Sequence, residues 1–306
     1  MYNVGHMNPR IRTHLEEIAK HLYVNPLEMC NLRCAICYTR KTSPILAPER
    51  ITQFVKRYRA MYPVKTITFC GGEVFTLPYF PNLVNTLTDS GIFIQIITNG
   101  TIDRLDEFRT PNTINMIVSI DGQKKYHDKN RGVGNFDKSI AFLKKARCLG
   151  FHSEVFSIVT RENYDRIDQF ERDLACPLGY NVPVTYHPRK PPAYLLHHPV
   201  SNIHGKVEGF NFLERENMIK LMAERKTFPP KDLGCYQIAL VSNGNVYACC
   251  EGVTPIGTID DAPEVLMQKM KERLLLWEKV NNNPACLACT SPDFVCGIKE
   301  YLAASV

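Results

Sequence analysis

The sequence predicts an α/β protein: a parallel sheet covered by helices, followed by a small cysteine-rich C-terminal domain. Three observations carry this. Helix-like and strand-like patterns alternate through the first two thirds of the chain. The strand-like runs are continuously apolar or nearly so, as in strands buried on both faces. Beyond residue 190 the composition shifts, first to proline and histidine, then to cysteine.

The elements follow in order. Residues 9–21 have the period of an amphipathic helix, with Ile11, Leu15 and Ile18 on one face. Residues 22–27 read as a strand that leads into a cysteine-bearing loop. Residues 48–62 read as a helix, 64–69 as a β-branched buried strand and 78–89 as a helix. Residues 92–98 and 113–120 are apolar strands. Residues 136–149 form a helix with Ile140, Phe142, Leu143 and Ala146 as its apolar face and Gly150 at its end. Residues 154–160 and 182–187 complete six strands, with Tyr186, His187 and Arg189 ending the last. These three can face a site, or His187 can be a structural histidine. Residues 188–204 mark a linker or lid, followed by a helix near 214–225. The expected units are an N-terminal helical extension (1–21), a core (22–190), a linker with a helix (191–231) and a cysteine-rich domain (232–306).

Composition narrows the class. A chain of 306 residues with 44% hydrophobic and 22% charged residues is ordinary for a globular protein. No apolar run approaches the ~20 residues of a membrane span. Residues 1–12 carry no signal-peptide pattern. Twelve cysteines without an export signal argue for a reducing, cytoplasmic setting and for metal ligation over disulfides. The net charge of +6 is scattered, with no block of five Lys/Arg. It suits an acidic substrate or peptide without demanding nucleic acid, and a solvated basic surface accounts for it as well.

Cys30, Cys34 and Cys37 have the spacing C-x3-C-x2-C. Three thiolates can hold a [4Fe–4S] cube and leave one iron open. A structural zinc site needs four ligands, and the nearest further candidates are His21 and Cys70. Next comes Cys70-Gly71-Gly72-Glu73, at the end of the second strand. Two glycines allow close backbone approach and φ > 0, and a carboxylate there can pair with an ammonium group. Thr98-Asn99-Gly100 follows the third strand as a turn. Ser119-Ile120-Asp121-Gly122 follows the fourth, with His127-Asp128 and Arg131-Gly132 after it. In the tail, Cys235 and Cys249 flank Gly244 as C-x8-G-x4-C. Cys250, the pair Cys286 and Cys289, and Cys296 come later. Residues 239–241 and 246–248 read as a hairpin that brings Cys235 and Cys249 together. With Cys286 and Cys289 they can close a [4Fe–4S] cluster or a zinc site. Cys249 fits the spacing better than Cys250. Cys296 is open between ligand, redox group and buried thiol.

In this order the motifs resemble those of the radical S-adenosylmethionine (radical SAM) enzymes. The tail resembles their auxiliary iron–sulfur domains, called SPASM and twitch. The full SPASM form has seven cysteines for two clusters; the shorter twitch form, with one cluster, fits this chain. The resemblance covers residues 22–190 and 232–296. It implies a partial (β/α)6 TIM-like barrel with a [4Fe–4S] cluster on Cys30, Cys34 and Cys37. S-adenosylmethionine (SAM) would chelate the open iron. Gly71, Gly72 and Glu73 would hold its amino group, and Asn99 would lie under the ribose. Ser119 would contact the ribose or carboxylate, with Asp121 in the same segment. Arg131 would pair with the carboxylate, and Ile36 would pack near the adenine.

The implied chemistry is reductive cleavage of SAM to a 5′-deoxyadenosyl radical, which abstracts hydrogen from an unactivated carbon. The electron would come from a low-potential donor such as flavodoxin or ferredoxin. An auxiliary [4Fe–4S] cluster, closed by four cysteines, would take an electron back from a substrate radical. Peptide or protein modification ranks first as the reaction, and dehydrogenation of a small sugar or amino acid second. Only 29 residues precede Cys30, too few for the peptide-recognition domain that many peptide maturases carry. Segment 188–204 is a candidate substrate entrance. A non-catalytic metal-binding interaction protein is the third reading.

Overall fold

The computed structural model describes residues 9–37, 39, 41–189, 207–227, 237–249 and 254–281. Cys235, Cys250, Cys286, Cys289, Cys296 and nearly all of segment 188–204 lie outside these residues.

Helix α1 (Pro9–Ile18) and strand β1 (His21–Asn25) come first. The sequence extends the first helix to residue 21, but the structure ends it at Ile18. Lys20 closes the last turn on Glu17, and His21 is already in register with Thr66. The chain continues through α2 (Pro48–Met61), β2 (Thr66–Phe69), α3 (Phe80–Asp89), β3 (Phe93–Thr98) and β4 (Ile114–Ser119). A 3-10 turn, Val74–Thr76, precedes α3. Then come α4 (Lys124–Arg131), α5 (Asn135–Cys148), β5 (His152–Val159), α6 (Arg161–Tyr164), α7 (Ile167–Leu178) and β6 (Val184–Pro188). The remaining described elements are α8 (Arg215–Glu224), β7 (Ile238–Val241), β8 (Asn245–Tyr247), β9 (Gly257–Thr258) and α9 (Pro263–Asn281).

Strands β1 to β6 pair in sequence order, all parallel. Each connection carries the chain back over the same face, which is the βαβ rule. The hairpin expected in the tail is present. Its first strand, β7, lies parallel to β1, so the sheet order is β6-β5-β4-β3-β2-β1-β7-β8-β9. The sheet does not close, as in a partial TIM barrel. Helix α9 packs on α1 and α2, burying Leu266, Met267, Met270 and Leu274, and Met267 Sδ accepts from Tyr58 Oη.

The core lies between the outer face of the sheet and the helices. Leu22, Val24, Ile67, Phe69, Ile94, Ile96, Met116 and Val118 are fully buried there. Phe75 joins it edge-on to Phe80, Phe108 and Phe142. Burying one such ring stabilises the fold by about 1.5–3 kcal/mol, plus the edge contacts. This anchors the residue two places after Glu73. No described helix is long and apolar enough to cross a membrane.

Candidate active site

The cysteine loop leaves β1 and runs over the C-terminal ends of the central strands. Backbone bonds hold it from three sides. Gly72 N–H donates to Leu27 O at 2.9 Å and Glu73 N–H to Met29 O at 3.0 Å. Ala35 N–H donates to Asn130 O at 3.0 Å, and Ile36 N–H to Asn130 Oδ1 at 3.3 Å. Asn99 Nδ2 donates to Asn31 Oδ1 at 2.9 Å and lies 3.8 Å from Cys30 Sγ.

Cys30, Cys34 and Cys37 are all partly exposed. Burial pushes the Cys30 and Cys34 thiols up; Glu73 and Cys37 add to the shift at Cys30, and Asp121, Cys37 and Cys30 to that at Cys34. Leu32 N–H on Cys30 and the Arg131 charge near Cys34 oppose that shift. Such donors around sulfur tune a bound metal. Among the described residues, no three His, Cys, Asp or Glu side chains gather closely enough to hold a single metal ion. Three mutually repelling, solvent-facing thiols suit a larger group that presents a separate metal corner to each.

Gly71 and Gly72 lie hard against the cysteine loop. A Cβ on Gly71 would stand 2.2 Å from Leu27 O, and one on Gly72 1.8 Å from Met29 O. Gly71 also has φ +131°, which side chains rarely adopt. The close approach is to the cysteine loop's own backbone. Glu73 is fully buried. Its Oε1 accepts from Thr98 Oγ1 at 2.8 Å and Phe75 N–H at 3.2 Å, and its Oε2 from Asn99 N–H at 2.8 Å. Burial raises its pKa, although these donors and the Arg131 charge pull it down. A carboxylate so placed favours a cation beside it.

Arg131, which the resemblance assigns to the cofactor carboxylate, pairs with Asp121. Arg131 Nε lies 2.5 Å from Asp121 Oδ2, and Nη2 3.1 Å from Oδ1. Asp121 is fully buried and also accepts from Asn130 Nδ2 at 2.7 Å and Ile158 N–H at 3.2 Å. Burial alone would raise its pKa; the guanidinium outweighs this and holds it below the usual carboxylate range. The pair fixes α4, and Asn130 carries that fixation to the cysteine loop. Asn130 has no motif of its own. Asp128 caps α5 through the N–H groups of Gly134 and Phe136.

Ser119 ends β4, nearly buried, with Asn99 beside it on the neighbouring strand. Ile36 is partly exposed at the loop's mouth. His187 is buried, its ring beside Phe156 and its Nδ1 2.7 Å from Pro188 O, a structural role. Arg189 is buried too, with its guanidinium over Phe212 and bonded to Phe210 O. Of the four tail cysteines assigned to a cluster, only Cys249 is described, and it is buried. A cavity of about 270 Å³ lies elsewhere, between the outer face of β5 and β6 and helices α4 and α7. Tyr126, Ser157, Phe170 and Tyr186 line it, and none of the three loop cysteines does.

The model of the radical SAM superfamily matches residues 24–174, from β1 into α7. Residues 24–174 are a radical SAM domain. Domains of this fold bind SAM and a [4Fe–4S] cluster, and the homologues are enzymes. The AdoMet-dependent heme synthase of Methanosarcina barkeri is 30% identical over 167 residues, 52% of this chain and 46% of that protein. The mycofactocin maturase MftC of Mycolicibacterium smegmatis is 26% identical over 164 residues, 51% of this chain and 41% of that protein. The chain thus spans less than half the length of these curated relatives. The structure of native anSMEcpe with bound AdoMet and Cp18Cys peptide superposes with a TM-score of 0.65 at 19% identity. It covers 82% of this chain and 81% of that one. This likeness is one of fold.

Proposed function

We propose that this radical SAM enzyme cleaves SAM reductively and modifies a peptide or protein. One observation carries the reading: three partly exposed thiols sit on a loop locked over the strand ends, beside a buried carboxylate. Cys30, Cys34 and Cys37 would hold the [4Fe–4S] cluster. Glu73 would receive the methionine ammonium, whose charge would hold this buried carboxylate ionised. Asn99 and Ser119, on adjacent strands, would meet the ribose, and Ile36 the adenine. The bound and reduced cluster would supply the electron that splits SAM into methionine and a 5′-deoxyadenosyl radical. The chain's part is orientation and exclusion of competitors. Arg131, held by Asp121, would meet the cofactor carboxylate.

A low-potential donor such as flavodoxin or ferredoxin would feed the cluster. Cys235, Cys249, Cys286 and Cys289 would close an auxiliary cluster of the SPASM or twitch kind. Peptide chemistry is supported by the maturase among the relatives and by the peptide named with the similar structure. The heme synthase relative favours a second reading, a small-molecule substrate.

Counting metal tests this. Protein purified without oxygen is assayed for iron, sulfide and zinc, beside a variant with Cys30, Cys34 and Cys37 all changed to alanine. About eight irons in the wild type and about four in the variant are expected, since a cube holds four. Loss of all iron with zinc retained would make the tail a zinc ribbon and leave the core reading intact. A wild type with zinc only would sink the proposal.

A further inference from the structure

We propose that the cavity between the outer face of β5 and β6 and helices α4 and α7 binds a small phosphate monoester. The apolar body would lie against the sheet and the phosphoryl group at two helix N-termini. The proposal is independent of the radical SAM reading. Neither the loop cysteines nor Glu73, Asn99, Ser119 and Arg131 line this cavity.

The floor is apolar with one polar group. Val159, Ile167, Phe170 and Tyr186 form the wall, and Ser157 stands among them on β5. Ser157 is 1% exposed, yet its hydroxyl bonds to no group among the described residues. Leaving a buried hydroxyl unpaired costs about 1–3 kcal/mol. The tyrosines of the same cavity are satisfied. Tyr186 Oη donates to Glu171 Oε1 at 2.7 Å, and Tyr126 Oη lies 2.5 Å from Thr160 Oγ1. Ser157 is left to meet an occupant.

The mouth is electropositive. Gln123 begins α4 and Arg166 begins α7, and both line the cavity. The first helical bonds are His127 N–H to Gln123 O at 2.9 Å and Phe170 N–H to Arg166 O at 2.8 Å. The N–H groups before them have no helical acceptor, and neither helix has a side-chain cap. Both dipoles therefore favour an anion here. Lys125, Lys129 and Arg166 add side-chain cations, with no carboxylate in ion-pair range among the described residues. Their neighbour Lys124, which is not on the lining, pairs with Asp137 at 2.6 Å. Glu162 is the carboxylate on the lining, and Asn211 N–H and Nδ2 take up its oxygens.

Size and donors pick the ligand class. A volume of about 270 Å³ suits a small organic molecule. N–H groups from two helix ends, ammonium groups and a hydroxyl surround a tetrahedral oxyanion more fully than a planar carboxylate. An occupant would also brace α4, which carries Asn130 against the cysteine loop and Arg131 against Asp121.

The test titrates phenyl phosphate into the full chain, as purified without oxygen, in phosphate-free buffer, and follows the heat. Saturable binding is expected, with phenol, inorganic phosphate and phenylacetate each weaker by about tenfold or more. Ser157→Ala should weaken it about fivefold, one hydrogen bond. Lys125→Ala with Lys129→Ala, both at exposed positions, should weaken it about tenfold. Lys124→Ala, on the same helix, should match the wild type. No saturable binding, or one affinity across all variants, would overturn the proposal. Phenylacetate or inorganic phosphate binding as tightly as phenyl phosphate would overturn the monoester assignment. Hydrogen exchange mapped by peptide mass locates the ligand without any variant. Phenyl phosphate should slow exchange over residues 123–126 and 166–169. Slowing elsewhere and not there would place the ligand at another site and overturn the proposal. Neither readout uses SAM cleavage, so failure of the radical SAM reading would leave both intact.

Discussion

On the outer face of the sheet, Leu22, Ile67, Ile94, Ile96 and Met116 are fully covered by helices. On the inner face of the same strands, polar side chains bonded to one another stand among apolar ones such as Ile97 and Ile117. His21 Nε2 meets Thr68 Oγ1 at 2.8 Å, and Thr68 donates to Gln95 Oε1 at 2.7 Å. Asn115 Nδ2 donates to Glu154 Oε1 at 3.0 Å, and Lys226 Nζ reaches Glu154 Oε2 at 2.7 Å. Alternation in a strand lets one sequence serve both ends. The outer positions supply stability, since apolar burial drives folding. The inner positions are released from that duty and line a surface where chemistry can occur. The motifs lie where the inner face meets the strand ends.

Gly72→Ala should strain this division most. A Cβ there would collide with the backbone of Met29, so the cysteine loop must move. Cluster uptake should be largely lost, read as iron per chain after anaerobic reconstitution. Full iron content would contradict the role given to Gly72.

Arg131→Ala comes next. It leaves Asp121 buried without its partner, at a cost of about 3–5 kcal/mol in urea unfolding. The sign with pH follows from the lowered Asp121 pKa. The pair's stabilisation is fully present above the ordinary carboxylate range and fades as pH falls below about 4. The gap between wild type and variant should therefore narrow in acid; a gap independent of pH would count against the ion pair.

The two faces can be compared within one strand. Ile96→Ala, outside, should cost about 2–5 kcal/mol. Gln95→Ala, inside, should cost about 1 kcal/mol, one hydrogen bond. Equal costs would erase the distinction.

The last effect concerns His127. It is fully buried, with Nδ1 accepting from Asp121 N–H at 3.3 Å, and burial then the Arg131 charge lower its pKa to about 4. The unfolded chain binds this proton more readily between about pH 4 and 6.5. Stability should therefore rise with pH across that window, by up to about 1.4 kcal/mol per unit. His127→Gln should flatten the rise, and an unchanged slope would show that His127 does not titrate there.

Much of the plan was legible in local patterns. The C-x3-C-x2-C spacing, the glycine pair before Glu73 and the six strands in order are all short-range signals. What escaped was tertiary. The glycines announce close approach but not to what, because the partner, Met29, lies over forty residues away. That Arg131, at the end of α4, pairs with Asp121, just after β4, is visible only in the fold. Helix α4, Lys124–Arg131, is charged almost throughout, and only His127 and Asn130 are buried, so it has no apolar stripe to read. In β3 the inward Gln95 interrupts a run that otherwise reads as buried on both faces. The later helices α7 and α9 also went unread. Helix α7 carries Pro177 in its last turn, and the tail around α9 draws the eye to its cysteines.

The central claim is that the loop of Cys30, Cys34 and Cys37 makes this chain a SAM-cleaving enzyme. The most direct measurement is 5′-deoxyadenosine formed anaerobically by the reconstituted, reduced protein with SAM, beside the triple cysteine-to-alanine variant. The account predicts product from the wild type and none above background from the variant. No product from a cluster-loaded wild type, or equal product from both, would contradict it.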